Sequence, residues 1–211
     1  IEGEGDFSLA SVLVYNDTRT VGFGGSVEPD GSFIVSNLHG AQYFVHFSAA
    51  KAGYLNDYLR DEQGEQRLFT VPNEGDLDLT VTLTRGATVF GRVTDASTGD
   101  PVYGATIFGV GMVSEESVVA SSDQNGEWKI MGLKEDDWEF YISCSAFCSA
   151  DPDWVTIYYK GQVNKTMAAP LAVEGGDEVE WNASVPPDHD HDNMDDVWEE
   201  EHGLDPNRDD G

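Results

Sequence analysis

Basic residues are scarce in this chain: 11 Lys and Arg stand against 40 Asp and Glu, a formal charge of −29 over 211 residues. Phosphate backbones are held by basic patches, and the sequence has none, which excludes nucleic acid as a partner. Adhesion to an anionic membrane surface is excluded on the same ground. No apolar run approaches the roughly 20 residues that a membrane-spanning helix needs. The histidines are His39, His46, His189, His191 and His202, and no serine stands in a nucleophile-elbow context. The carboxylates are too numerous for any two to stand out as a glycosidase pair. A non-enzyme is expected.

Cysteine is nearly absent as well, with Cys144 and Cys148 alone in Ser-Cys-Ser-Ala-Phe-Cys-Ser. In a straight strand, residues four apart lie about 13 Å from each other, too far for a bridge. If the chain turns after Ile142, a small disulfide loop between Cys144 and Cys148 becomes possible. The expectation is that bridge, with two free thiols as the alternative. A disulfide would fit an oxidising, extracellular location.

At 39% hydrophobic residues the chain can bury cores, and its length suits two modest domains. Self-repulsion from the net charge opposes compaction and association, so cations are the natural partners. Adaptation to high salt is a second explanation for the acidity. The chain begins at Ile1 without Met and ends at Gly211 inside a motif. These are the expected ends of a piece of a longer protein, and a missing signal segment then says nothing about secretion.

An internal repeat is visible at a shift of 95 residues, which lays Ala10-Ser-Val-Leu-Val on Ala105-Thr-Ile-Phe-Gly. The same shift lays Asp30-Gly31-Ser-Phe33 on Asn125-Gly126-Glu-Trp128, Leu38 on Leu133, and Tyr43-Phe-Val45-His-Phe47 on Trp138-Glu-Phe140-Tyr-Ile142. With a small insertion, Leu77, Leu79, Val81 and Leu83 correspond to Val179, Trp181, Ala183 and Val185. Apolar residues alternate with a period of two at Val89, Gly91 and Val93, from Leu77 to Leu83, and from Trp138 to Ile142. Short alternating runs separated by Asp30-Gly31, Asn125-Gly126, Gly99-Asp-Pro101 and Gly175-Gly176 predict half-buried antiparallel strands. The fold class expected is all-β: two tandem antiparallel β-sandwiches at residues 1–84 and 85–186, then a short calcium-binding loop and helix at 187–211.

The second copy reads Gly91-Arg-Val-Thr-Asp95, Gly99-Asp-Pro101, Gly104-Ala105 and Asn125-Gly126 before Gly132-Leu133. It resembles the carboxypeptidase regulatory-like, transthyretin-related β-sandwich. That resemblance implies modules without catalytic residues of their own, used as stalks, spacers and adhesion domains. The first copy is similar but lacks the Gly-x-Pro turn. It also lacks most of the first strand, because the counterpart of Ala87–Asp95 falls before residue 1. Either Ile1–Gly5 is a short substitute, or the strand was trimmed, or the copy is open to a strand from another chain. The last option predicts head-to-tail contact and filaments.

Counting Asp188 as position 1 of Asp-His-Asp-His-Asp-Asn-Met-Asp-Asp-Val-Trp-Glu, carboxylates fall at positions 1, 3, 5, 9 and 12. That is the ligand spacing of an EF-hand-type calcium loop. Asp188, Asp190, Asp192, Asp196 and Glu199 are the candidate ligands, with Met194 offering a backbone carbonyl. Asn193 replaces the glycine usual at position 6 and is the next best residue at positive φ. Zinc is the weaker candidate, since His189 and His191 occupy outward even positions beside many hard carboxylates. With Gly203-Leu204-Asp205-Pro206-Asn207, the segment resembles the thrombospondin type 3-like calcium repeats. That resemblance implies stiff spacers on extracellular proteins. Asp205, Asn207 and Asp209 stand as the start of a second loop.

Aromatic residues offer an alternative, a carbohydrate-binding or accessory module of a larger secreted enzyme. Trp154 and Tyr158 are the candidate glycan platform, and Tyr54 and Tyr58 lie in the equivalent region of the first copy. Closure of the sandwich edge is the bland explanation for these rings. Sequons begin at Asn16, Asn164 and Asn182, where glycosylation is possible. The expected partners are calcium ions, further copies or neighbouring domains of a surface protein, and, on the alternative reading, glycans.

Overall fold

The computed structural model describes residues 6–61, 63–143 and 153–209. Cys144 and Cys148, with their expected bridge, lie outside the described residues. The chain divides into two compact units, residues 1–87 with 131–134 and residues 88–130 with 135–211. The C-terminal acidic segment thus belongs to the second unit. Strands dominate, and the single α-helix among the described residues is short; no helix there is long and apolar enough to cross a membrane.

In unit 1 the strands are β1 (Ser11–Asn16), β2 (Gly22–Ser26), β3 (Gln42–Ser48), β4 (Asp57–Tyr58) and β5 (Leu68–Thr70). They form one antiparallel sheet in the order β2-β1-β3-β4, with β5 also on β3. Alternation does the work expected of it: Val12, Val14, Tyr43, Val45 and Phe47 turn to one face and are buried, joined by Phe69 and Val81. The side chain of Asn16 closes the β1–β2 hairpin by accepting the backbone N–H groups of Thr20 and Val21.

The later strands, all but Ala87 and the end of β9 in unit 2, are β6 (Ala87–Asp95), β7 (Thr106–Gly111), β8 (Ser117–Ser121), β9 (Glu127–Leu133), β10 (Asp136–Ser143), β11 (Asp153–Trp154), β12 (Ile157–Tyr158), β13 (Leu171–Val173), β14 (Glu178–Glu180), β15 (Ala183–Val185) and β16 (Pro187–Asp188). One sheet runs β12-β10-β7-β8 with β13 on β10, and a second runs β14-β6-β15 with β9 on β6. β10 pairs antiparallel with β7, β12 and β13, and β7 with β8, whereas β14 and β15 both run parallel to β6. Between the sheets the ring of Trp181 meets Trp128 edge-on at 5.8 Å and Phe140 at 6.4 Å. Val89, Val93, Trp138 and Ile142 are fully buried, as their alternation predicts. Gly91 is required by close approach: a Cβ there would overlap the carbonyl oxygen of Trp181.

The repeat is visible in the turns. Gly31 and Gly126 both sit at positive φ, 84° and 76°, and each donates its N–H three residues back, to Glu28 and Asp123. Asp123 accepts from Asn125 and Glu127 through its side chain, which fixes this turn.

The copies differ at one place. Residues 77–83, expected as a strand, form none; Leu77 is 42% exposed, while Val81 still reaches the core. In unit 2 the corresponding segments, β14 and β15, owe their strand status to β6, as does β9. Among the described residues of unit 1 no strand holds the place of β6.

Candidate metal centre

The acidic segment is anchored before it turns. β16 pairs with β11, Asp188 opposite Asp153 and Pro187 opposite Trp154, and Val155 donates its N–H to the Pro186 carbonyl at 3.0 Å. Two successive prolines suit such an edge, where their missing donors cost no ladder bond.

From Asp188 the chain curls through side chain to backbone hydrogen bonds. Asn193 donates its N–H to Asp188 Oδ2 at 3.1 Å, Asp192 to Asp190 Oδ1 at 3.3 Å, and Met194 to Asp192 Oδ1 at 2.8 Å. His191 and Asn193 take left-handed φ of 68° and 69°, so Asn193 does meet the backbone demand of position 6. The result brings Asp188, Asp190 and Asp192 together, each offering an oxygen within 4.8 Å of the others.

Two of those oxygens are conspicuous. Asp188 Oδ1 and Asp190 Oδ2 are buried and have no hydrogen-bond partner. A buried acceptor left unmatched is costly, and three like charges at this spacing repel one another. Burial holds the Asp188 carboxyl above its ordinary pKa, with the charges of Asp192 and Asp190 adding to the shift and the N–H of Asn193 opposing it. A hard cation reverses both penalties at once, and carboxylate oxygens are the ligands calcium prefers.

The remaining predicted ligands are placed as follows. The α-helix α1 (Asp196–His202) starts inside the loop, capped by Asp195, whose side chain accepts from Val197, and ends at Gly203 at φ 79°. Asp196, at position 9, is buried, but its oxygens are engaged by the backbone N–H and ring Nδ1 of His189. His189, expected to face outward, thus holds the position 9 carboxylate. Glu199, at position 12, is completely buried in the first turn of α1. Met194 is half-buried, and Asp205, Asn207 and Asp209 are exposed and outside the cluster. Asp205 instead accepts the N–H of Asn207 in a local turn.

Two docking contacts escaped the sequence reading. Thr156 donates its N–H to Asn193 Oδ1, and the two-residue β11–β16 ladder seats the loop on unit 2. Nothing in the composition near Thr156 signals either.

The two rings of the expected glycan platform differ in exposure. Trp154 is only 8% exposed and presents no free face, and Tyr54 in the first copy is 3% exposed. Tyr158 is half-buried beside Tyr141, with ring centroids 5.7 Å apart. Of the sequon asparagines, Asn164 and Asn182 are exposed and Asn16 is half-buried. The amide of Asn182 donates to Glu180 and accepts from Arg92, while Asn164 accepts from Thr166.

No protein-family model and no curated protein matches the chain. Among solved structures, similarity is found to the Bacillus anthracis TIE protein, at 14% identity and TM-score 0.34 over 86% of this chain and 30% of that one. The shaft pilin SpaA of Lactobacillus rhamnosus GG is similar at 10% identity and TM-score 0.35, covering 88% of this chain and 89% of the pilin. The minor pilin GBS52 of Streptococcus agalactiae follows at 12% and 0.30, covering 86% and 83%. This chain spans less than a third of the B. anthracis protein's length. Likeness of this degree assigns neither family nor function.

Proposed function

We propose that this chain is a non-enzymatic, extracellular structural protein, a surface stalk or adhesion module or a subunit of a self-assembling fibre, whose C-terminal loop is clamped by calcium. The observation that carries the reading is the convergence of Asp188, Asp190 and Asp192, two of whose buried oxygens lack any partner. Asp188, Asp190 and Asp192 would hold the ion, with Glu199 closing the site from α1. Calcium there fixes the loop against β11 and relieves part of the charge that opposes association. Extracellular calcium modules bind in the range of about 10⁻⁴–10⁻³ M, and a site of that affinity would fill outside cells. The carbohydrate-binding alternative loses its main support with the burial of Trp154.

Calorimetric titration with calcium chloride, paired with thermal melts in calcium and in EGTA, tests the clamp. The wild-type chain should melt higher in calcium, and Asp190→Ala or Glu199→Ala should lose that gain. Equal melting shifts with and without calcium would sink the reading. Light scattering in millimolar calcium and after EGTA tests the fibre: assemblies that dissolve on chelation support it, and a monomer under both conditions leaves a stalk or binding module.

A further inference from the structure

The sequons at Asn16, Asn164 and Asn182 are equal as sequence, but the structure treats their amides differently. Transfer of a glycan to asparagine uses the side-chain nitrogen, so what holds Nδ2 and what surrounds it decide the outcome.

Asn16 closes its own hairpin. Its Oδ1 accepts the backbone N–H groups of Thr20 at 2.8 Å and Val21 at 3.0 Å. Its Nδ2 donates to the hydroxyls of Thr18 at 2.8 Å and Thr20 at 3.1 Å, in a half-buried setting. Asn182 braces a sheet. It stands between β14 and β15, where its Oδ1 accepts the N–H of Arg92 on β6 at 2.9 Å and its Nδ2 donates to Glu180 Oε1 at 2.8 Å. This amide carries the hydrogen bonding of β6 across the break between the two short strands. Turning either amide toward an enzyme breaks bonds that hold the fold.

Asn164 differs on each count. Its Oδ1 accepts the backbone N–H of Thr166 at 3.0 Å and the Thr166 hydroxyl at 2.8 Å, and so caps the 3₁₀ turn Lys165–Met167. Its Nδ2 has no partner among the described residues. The flanking Val163 and Met167 are 56% and 71% exposed, so the turn stands open. A hydroxyl donated to Oδ1 draws electron density from the amide and makes its N–H hydrogens easier to remove.

We propose that Asn164 is a glycan acceptor, and that Asn16 and Asn182 of the folded chain are not. The donor class is an oligosaccharide carried on a lipid diphosphate. Nδ2 forms a bond to the anomeric carbon as the bond from that carbon to the diphosphate oxygen breaks. The diphosphate leaves with the electron pair, and one proton passes from Nδ2 to solvent. The attached sugar then covers the apolar side chains of Val163 and Met167, on a turn that carries no sheet pairing. The inference rests on the extracellular reading for where such a donor is met.

The test incubates the folded whole chain with a lipid-diphosphate-linked oligosaccharide and an oligosaccharyltransferase that accepts the plain Asn-x-Ser/Thr sequence. Three peptides with one sequon each serve as unfolded references, and glycopeptide mass spectrometry reads the occupied site. All three peptides should be modified, whereas the folded chain should carry one glycan, on Asn164. Its Asn16 and Asn182 should react at least about tenfold more slowly than their peptides, because local opening must precede transfer. Thr166→Ala, at an exposed position, should abolish modification, and Thr166→Ser should retain it. A glycan on Asn16 or Asn182 of the folded chain at the peptide rate, or none on Asn164, would overturn the proposal. So would peptides as selective as the folded chain, because sequence and not fold would then choose the site. Neither calcium binding nor assembly enters this readout, so its failure and failure of the clamp are separate results.

Discussion

Thr156 donates its backbone N–H to Oδ1 of Asn193 at 3.2 Å, and this bond ties the tip of the acidic loop to the chain leaving β11. Asn193 therefore combines two roles, a left-handed backbone at φ 69° and a docking acceptor. Replacement by glycine keeps the first and removes the second. Asn193→Gly should lower stability by about 0.5–1.5 kcal/mol, the net worth of one hydrogen bond, while calcium binding persists. Chemical denaturation with and without calcium reads both quantities.

Asp188 is the buried member of the carboxylate cluster, and one of its oxygens has no partner. A neutral isostere removes that uncompensated charge. Asp188→Asn should leave the calcium-free chain as stable as the wild type or more so, and should abolish the stabilisation by calcium. Melting curves in EGTA and in calcium decide it; a large loss of stability in EGTA alone would argue for a purely structural role.

At the β7–β8 hairpin, Asp136 accepts the N–H groups of Ser114, Val113 and Asp137, foremost Ser114, and these bonds hold its carboxyl below the ordinary value. A depressed folded pKa gives stability that is complete above the unfolded value, near 3.8, and is lost as pH falls through the folded value. Stability measured from pH 5 downward, about a unit above the unfolded pKa, should therefore decline in the wild type. Asp136→Asn should flatten this decline while lowering stability at neutral pH. A decline of unchanged steepness in the variant would assign the acid sensitivity to other carboxylates.

Trp154, buried beside the β11–β16 ladder, is expected to matter for packing and not for sugar retention. Trp154→Ala should cost about 3–5 kcal/mol, the range for removing a buried aromatic side chain, and should weaken the docking of the acidic loop. Glycan-array retention should be the same for variant and wild type wherever both are folded. Selective loss of glycan binding without loss of stability would restore the carbohydrate-binding reading.

The 95-residue repeat, the alternation of Val12 with Val14 and of Trp138 with Phe140 and Ile142, the Asp30-Gly31 and Asn125-Gly126 turns, and the Asp188–Glu199 spacing were all readable from the chain as written. They depend on periods of two or on local turn chemistry, so near neighbours along the sequence carry the information. Trp154 was misread as exposed, because burial of a ring at a sheet edge depends on what crosses over it. The fate of residues 77–83 was equally hidden. Their alternation matches that of Val179 to Val185, yet only one set forms strands, because a ladder needs a partner some ninety residues distant, as Val89 is to Val179. Three-dimensional packing alone settled that β6 is the shared partner of β9, β14 and β15, and that Thr156 meets Asn193. Such pairings join residues remote in sequence, and no local pattern encodes which remote segment will arrive.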